Sequence, residues 1–499
     1  MAQVKVQHFS YTYPGEHSSA LSNLDLSIDQ GAFVVITGRS GSGKSTLGKA
    51  IAGFLFQDEQ SNYTGKILVN DLDMALINLY EASERVAYVQ QNPEDQFCTL
   101  TVMDEIAFGL ENLCLHPDEI NQKIDRVLSI VKGANLKGRY LSTLSGGEKQ
   151  KIAIASMLAL TPNVLILDEP TSNLDPIATE NIFETLYNLH QDQDLTIIII
   201  EHKLTQLRAF DPLIYELEAG ELIAPESFTT DYSDPSNAEN TLTINQNPNP
   251  QHFNNQIDLK HVYVDLGNQS ILKDINLTIT PGEFIALMGP NGSGKSTLLE
   301  SIMGFNKIRS GSITAFGQMN TIMRTSPIVQ HVGFIFQNPD HQLFTQSVWD
   351  EATFTVENLH ILTDEIRIQA EAFLSQMGLF LRKDIHPHRL SYGEKRRLNF
   401  VAAMLHAPQL LLIDELLIGQ DMESAHNWMR ILQTYTRQGN TVVIVNHHSN
   451  LTQDYCDRVL FMEQGKIIID QSISEAFKTI ASYGFTAFLP SIAWEGLNA

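Results

Sequence analysis

The sequence predicts a duplicated α/β protein, two domains in tandem, each built on a mainly parallel β-sheet. Three observations carry this. Four motifs recur in the same order at offsets of 245–251 residues, short β-branched apolar runs alternate with helical stretches, and each half carries a glycine-rich turn between a strand and a helix. A chain of 499 residues is too long for a single compact core.

The repeat fixes the organisation. GRSGSGKST at 38–46 returns as GPNGSGKST at 289–297, LSGGEKQK at 144–151 as LSYGEKRR at 390–397, and LILDE at 165–169 as LLIDE at 411–415. His202 and His447 complete the series. We expect a first domain over 1–224 and a second over 257–480. Between them, 225–256 holds no Lys or Arg and is rich in Asn, Pro, Ser and Thr, the composition of a flexible linker. Residues 481–499 are apolar for a terminus, and the sequence leaves open whether they dock on a domain or a partner.

FVVITG (33–38), VLILDE (164–169) and TIIIIE (196–201) read as buried parallel strands. A ligand of such a sheet sits at the carboxyl ends of its strands. Residues 92–143 and 338–389 read as inserted, mostly helical subdomains.

Composition narrows the class. With 43% hydrophobic and 18% charged residues, the chain reads as an ordinary soluble globular protein. A net charge of −25 argues against nucleic acid as a partner, because non-specific affinity for it depends on Lys and Arg displacing counterions. No run approaches the length needed to span a bilayer and no signal peptide is legible, so a cytosolic chain is expected. Cys98, Cys114 and Cys456 lie far apart without metal-ligand spacing, and all three read as packing residues.

The chemistry is in the turns. Both glycine-rich segments fit G-x-x-x-x-G-K-[ST] in a strand-to-helix context, the phosphate-loop pattern. In the first half this gives Gly38, Ser40, Gly41, Ser42, Gly43, Lys44, Ser45 and Thr46 as nucleotide-binding residues; in the second, Gly289, Asn291, Gly292, Ser293, Gly294, Lys295, Ser296 and Thr297. Lys44 and Lys295 are expected at the β- and γ-phosphates, and Ser45 and Ser296 at Mg²⁺. Asp168 and Asp414 end apolar strands, where a carboxylate holds Mg²⁺, and the adjacent Glu169 and Glu415 polarise an attacking water. ATP and Mg²⁺ are the cofactors this implies.

On LSGGE (144–148) and LSYGE (390–394), the chain resembles the ATP-binding cassette family over essentially its whole length. The resemblance implies two P-loop NTPase domains, each with a parallel sheet core, an antiparallel β subdomain and an inserted helical subdomain. It further implies that the two domains pair within the chain, the signature of one binding the γ-phosphate held by the other. By it, Tyr13 stacks on adenine, Gln91 and Gln337 sense the γ-phosphate and Mg²⁺, and His202 and His447 contact the γ-phosphate. Ser145, Gly146 and Gly147, with Ser391 and Gly393, are the signature contacts.

The second half departs from the pattern at Leu266 in the place of Tyr13, at Tyr392 in the place of a glycine, and at LLIGQD (416–421) in the place of PTSNLD (170–175). Unequal sites are expected. Tyr392 places a bulky side chain where a backbone approaches phosphate.

QNPEDQFCTLTVMDEIAFGLEN (91–112) and QNPDHQLFTQSVWDEATFTVEN (337–358) resemble the ATPases of energy-coupling factor transporters, importers of vitamins and metal ions. That resemblance implies a membrane scaffold (T-type) subunit and a substrate-binding (S-type) subunit as partners, and a peripheral location on the cytoplasmic face of the cell membrane. A fused pair resembles the version for thiamine or its pyrimidine precursor. Three alternatives fare worse. A sugar-type importer disagrees with LSGGEKQK and the NPEDQ stretch, a tandem-cassette translation factor with the acidic connector, and a DNA-repair cassette with the lack of large insertions.

Overall fold

The structure is a computed structural model that describes residues 2–16, 18–57, 61–172, 174–192, 195–201, 204–223, 257–267, 269–316, 318–320, 328–417 and 419–490. The proposed linker, His202, Asn173 and residues 491–499 lie outside the described residues. The chain divides into two compact units, Met1–Ser236 and Asn237–Ala499.

In the first unit a six-stranded sheet runs in the order Glu221–Ile223, Leu213–Glu218, Phe33–Thr37, Thr196–Ile200, Val164–Asp168, Val86–Val89. Its neighbours are parallel except for the edge hairpin of the first two strands. A second, antiparallel sheet joins Leu21–Asp29, Ala2–Thr12, Asn62–Val69 and Leu72–Asp73. The second unit repeats both sheets, its parallel order being Val332–Ile335, Leu410–Asp414, Thr441–Val445, Phe284–Met288, Arg458–Glu463 and the antiparallel edge Lys466–Ser472.

The alternation of a strand explains the layers. Val34, Ile36, Ile198, Ile200, Val164 and Ile166 face one core, shared with Leu47 and Ile51 of the helix Lys44–Ile51 and with the antiparallel sheet. Phe33, Val35, Ile197, Ile199, Leu165 and Leu167 face the other, shared with the helices that follow residue 101. Both faces of the parallel sheet are therefore covered, which is why its strands read as unbroken apolar runs rather than alternating ones.

The inserted segment is helical as expected, with helices Val102–Asn112 and Pro117–Ile130 packed on the helix Gly146–Ala159; its repeat is Val348–Asn358, Asp364–Gln376 and Tyr392–Met404. One buried carboxylate pins each insertion. Glu105 accepts from the backbone N–H of Cys98 and Thr99 at 3.0 Å and from Thr99 Oγ1 at 2.9 Å, and Glu351 does the same for Phe344 and Thr345.

The cysteine expectation needs correcting. Cys456 is buried, but Cys98 and Cys114 are exposed, because the first lies in the loop held by Glu105 and the second takes a positive φ of 56° just after a helix end. The terminal question closes for the described residues. Phe485 and Phe488 pack on Phe461 with ring centroids 4.8 and 5.1 Å away, and Ser449 Oγ donates to the Phe488 carbonyl at 2.7 Å. The tail thus docks on its own unit through residue 489.

Phe488 is fully buried, so Phe488→Ala is expected to destabilise the second unit by about 3–4 kcal/mol. Denaturant unfolding followed by Trp fluorescence checks this, because Trp349, Trp428 and Trp494 all lie in the second half.

Candidate functional site

The site grows from the carboxyl ends of the central strands. Phe33–Thr37 runs into the turn 38–43 and the helix Lys44–Ile51, and Phe284–Met288 into its repeat. Gly38 and Gly289 take φ of 136° and 135°. A Cβ on either would lie 2.1 Å from a backbone carbonyl, of Leu217 or Met462. No other residue fits there.

Lys44 Nζ donates to the carbonyls of Gly38 and Arg39, and Lys295 Nζ to those of Gly289 and Pro290, all at 2.8 Å. Each lysine therefore arches over a ring of backbone N–H groups, the nest geometry that holds phosphate. The hydroxyls of Ser42 and Ser293 are buried without a partner among the described residues, leaving donors available to an anion.

Parallel register brings Asp168 and Asp414 beside these turns. Asp168 accepts from Ser45 Oγ at 3.0 Å and from Tyr88 Oη at 2.6 Å. Burial raises its pKa against the two hydrogen bonds. The counterpart of Tyr88 is Phe334, so Asp414 lacks the phenol, and its Oδ1 is buried without a partner among the described residues. Burial and the neighbouring Glu415 push the Asp414 carboxyl up to about 7.

Glu169 and Glu415 follow at positive φ of 45° and 57°. A non-glycine residue in that region is strained, and such strain gathers at functional sites. Gln91 Nε2 donates to Glu169 Oε2 at 2.7 Å and Gln337 Nε2 to Glu415 Oε2 at 2.5 Å. His447 Nε2 lies 3.0 Å from Glu415 Oε1. Burial pushes Glu415 up, yet His447, Lys295 and Gln337 outweigh it and leave the carboxyl below its ordinary range.

Tyr13 sits at the edge of this group, its hydroxyl 3.1 Å from Thr46 Oγ1 and its ring edge-on to Tyr11 at 5.0 Å. Leu266 ends the equivalent strand, half exposed, with no such tie to Thr297 among the described hydrogen bonds.

The signature residues cap helices. Ser145 and Ser391 each form a capping box, with Glu148 and Glu394, leaving Gly146, Gly147 and Gly393 in the first turn. Tyr392 makes contacts that the sequence does not show. It is the first residue of its helix, and its ring and hydroxyl engage Arg396 one turn on, at 5.0 and 2.9 Å.

Sequence reasoning missed several residues here. Tyr88 sits inside an apolar strand and reads as core, and Arg396 reads as one more charge on a polar helix start. Thr171 is the third, donating to the buried Glu201 at 2.6 Å. The one visible signal was the mismatch between halves, Tyr88 against Phe334 and Gln150 against Arg396.

The site residues fit a magnesium nucleotide. Each cassette pairs a phosphate nest with a buried carboxylate beside a hydroxyl, a hard-oxygen donor set. No cluster of three or more His, Cys, Asp or Glu that could hold a metal occurs among the described residues.

Comparison with known proteins defines the class. The ABC transporter family matches residues 21–172 and 272–417. A putative ABC transporter ATP-binding protein of Methanosarcina acetivorans is 32% identical over 98% of this chain and 89% of its own length. The putative HMP/thiamine import ATP-binding protein YkoD of Bacillus subtilis is 30% identical over 95% of this chain and 92% of its own. A solved structure, cbiO1 from Clostridium perfringens, part of the ABC transporter complex cbiONQ, is 29% identical over 46% of this chain and 94% of its own, with a TM-score of 0.40.

This chain belongs to the ABC transporter family. It carries the family's cassette twice and is an ATP-binding, ATP-hydrolysing transporter subunit. Among the described residues no helix is long and apolar enough to cross a membrane.

Tyr88→Phe is expected to cost about 1–2 kcal/mol, because the buried Asp168 loses a donor. Phe334→Tyr is expected to cost less, since Asp414 Oδ1 has a vacancy for the new hydroxyl. Thermal unfolding of the two variants checks the difference.

Proposed function

We propose that this subunit energises an importer of the energy-coupling factor type, taking a vitamin or related micronutrient, with thiamine or its pyrimidine precursor as the first substrate to test. The observation that carries this is the segment after each Gln, at 91–112 and 337–358. Its buried Glu105 and Glu351 hold an apolar surface toward solvent: Leu100, Met103 and Phe108 in the first unit, Phe344 and Phe354 in the second. Exposed apolar groups gathered on a rigid support fit a protein partner. The membrane scaffold subunit is that partner, with a substrate-binding membrane subunit beyond it, on the cytoplasmic face. The likeness to YkoD, whose name includes HMP/thiamine import, supports the substrate class.

In this reading the two cassettes pair within the chain, each signature serine completing the site on the opposite phosphate loop. The nests at 38–46 and 289–297 bind the phosphates of ATP, and Lys44 and Lys295 turn from their own carbonyls toward the γ-phosphate. Tyr13 stacks on the first adenine; Leu266 offers the second an aliphatic contact. Asp168, Ser45 and Gln91, and Asp414, Ser296 and Gln337, hold Mg²⁺, which neutralises phosphate charge when bound.

Glu169 and Glu415 accept a proton from the attacking water, oriented by Gln91 and Gln337. In the second cassette His447 holds Oε1 of Glu415, keeping the carboxylate ionised for that task. His202 in the first cassette and His447 in the second contact the γ-phosphate. Hydrolysis removes the shared phosphate contacts and lets the cassettes part, which the helical insertions pass to the scaffold.

Two measurements test this. Glu169→Gln and Glu415→Gln are each expected to cut turnover by at least about 100-fold at the altered site, with unequal effects on total ATPase because Leu266, Phe334 and Arg396 stand in the second cassette in place of Tyr13, Tyr88 and Gln150; equal losses sink the asymmetry. Detergent extraction of membranes is expected to recover the chain with a small multi-spanning protein, and Leu100→Asp combined with Phe344→Asp to abolish that recovery while ATP binding persists. Recovery with ribosomes instead overturns the importer.

A further inference from the structure

We propose that Arg396, held by Tyr392, is a positioning residue that sets Glu415 and Gln337 of the second cassette. It rests on the reading of Glu415 as the group that activates water. Arg396 lies on the helix Tyr392–Met404 and is 3% exposed. A guanidinium buried so deeply is costly unless its donors are taken up. Nη1 donates to the backbone carbonyl of Glu415, and Nη2 to that of Gln337 at 3.2 Å and to Tyr392 Oη at 2.9 Å, while Nε is buried without a partner among the described residues. The Tyr392 ring closes the fourth side at 5.0 Å.

The two carbonyls belong to the residues whose side chains meet at 2.5 Å, Gln337 Nε2 on Glu415 Oε2. Arg396 therefore clamps from behind the same pair that faces the phosphate loop. Glu415 needs such support, since its φ of 57° is a conformation that surrounding contacts must impose. A second residue of the helix adds to the tie, Asn399 Nδ2 donating to the Pro339 carbonyl at 3.0 Å, two residues past Gln337.

The first cassette carries other side chains at these positions. Gln150 and Ala153 stand where Arg396 and Asn399 do, and Gln150 is buried with its Nε2 unpartnered among the described residues. Gly146 there leaves no ring to cover a cation. The departure of Tyr392 from glycine and the arginine four residues on are thus one feature. A planar fork reaches two carbonyls and a phenol from separate nitrogens, whereas Gln has two donors and the Lys ammonium gathers its three on one nitrogen.

The test uses the full chain carrying Glu169→Gln, so that turnover reports the second cassette. Arg396→Gln is expected to lower kcat by about ten- to a hundredfold, with KM for ATP and the binding of a fluorescent ATP analogue within about twofold. Tyr392→Phe keeps the ring, removes the hydroxyl and is expected to lower kcat about threefold, with no further loss when added to Arg396→Gln. Arg396→Lys is expected to recover only part of the loss.

Full kcat in Tyr392→Phe, or losses in the two variants that simply multiply, overturns the proposal. So does a fall in analogue binding that matches the fall in kcat, the mark of a merely destabilised domain. If Arg396→Gln fails to fold, Tyr392→Phe alone decides. Glu415→Gln, run in parallel, separates the readings: turnover surviving it overturns the role of Glu415 and the proposal with it, whereas its loss beside full kcat in the Arg396 and Tyr392 variants overturns the clamp alone.

Discussion

The parallel register of the central strands is the constraint on which the rest of each unit depends. Phe33–Thr37 lies between Thr196–Ile200 and Leu213–Glu218, and Val164–Asp168 lies one strand further out. Because Asp168 pairs with Ile200 and Ile36 pairs with the same residue, the phosphate turn, the carboxylate and the start of the 201 loop emerge at one edge. A slip of one residue would turn the side chains of a strand to the other face, into the other core. Burial on both faces penalises every such slip, so the register that builds the core also places the site.

Upon that shared frame the two units differ in how they hold their carboxylates. In the first, Tyr88 ties Asp168 from a strand of the sheet, and Glu169 meets Gln91. In the second, Phe334 leaves Asp414 with an oxygen unpartnered among the described residues, while Glu415 is buried among Gln337, His447 and the Arg396 clamp. The aspartates thus differ in their partners, and the second glutamate has the Arg396 clamp on its backbone carbonyl. The signature follows the same division, glycine where nothing needs covering and tyrosine where a cation does.

Much of the candidate site was legible because its residues are contiguous. A nest needs successive N–H groups and glycines at fixed offsets, so GRSGSGKST and GPNGSGKST declare it in one line. Asp168 with Glu169 and Asp414 with Glu415 were equally visible at the ends of apolar runs. Tyr88, Arg396 and the pinning Glu105 were not, since each acts on a partner six to eighty residues away. Nothing local marks a tyrosine in a strand as a hydrogen-bond donor to a neighbouring strand rather than as core. The contact of Tyr392 with Arg396 was not legible in the sequence either.

The sequence by itself determined the duplication, the α/β class, the phosphate loops and the family, all of which rest on spacing along the chain. Tertiary structure decided what depends on packing: that Cys98 and Cys114 face solvent, that Phe485 and Phe488 close over Phe461, and that Tyr392 turns to Arg396. Backbone nests are local, and their residue types are forced by φ. The environment of a buried charge is assembled from distant strands and helices, and only their packing fixes which carbonyls and rings it meets.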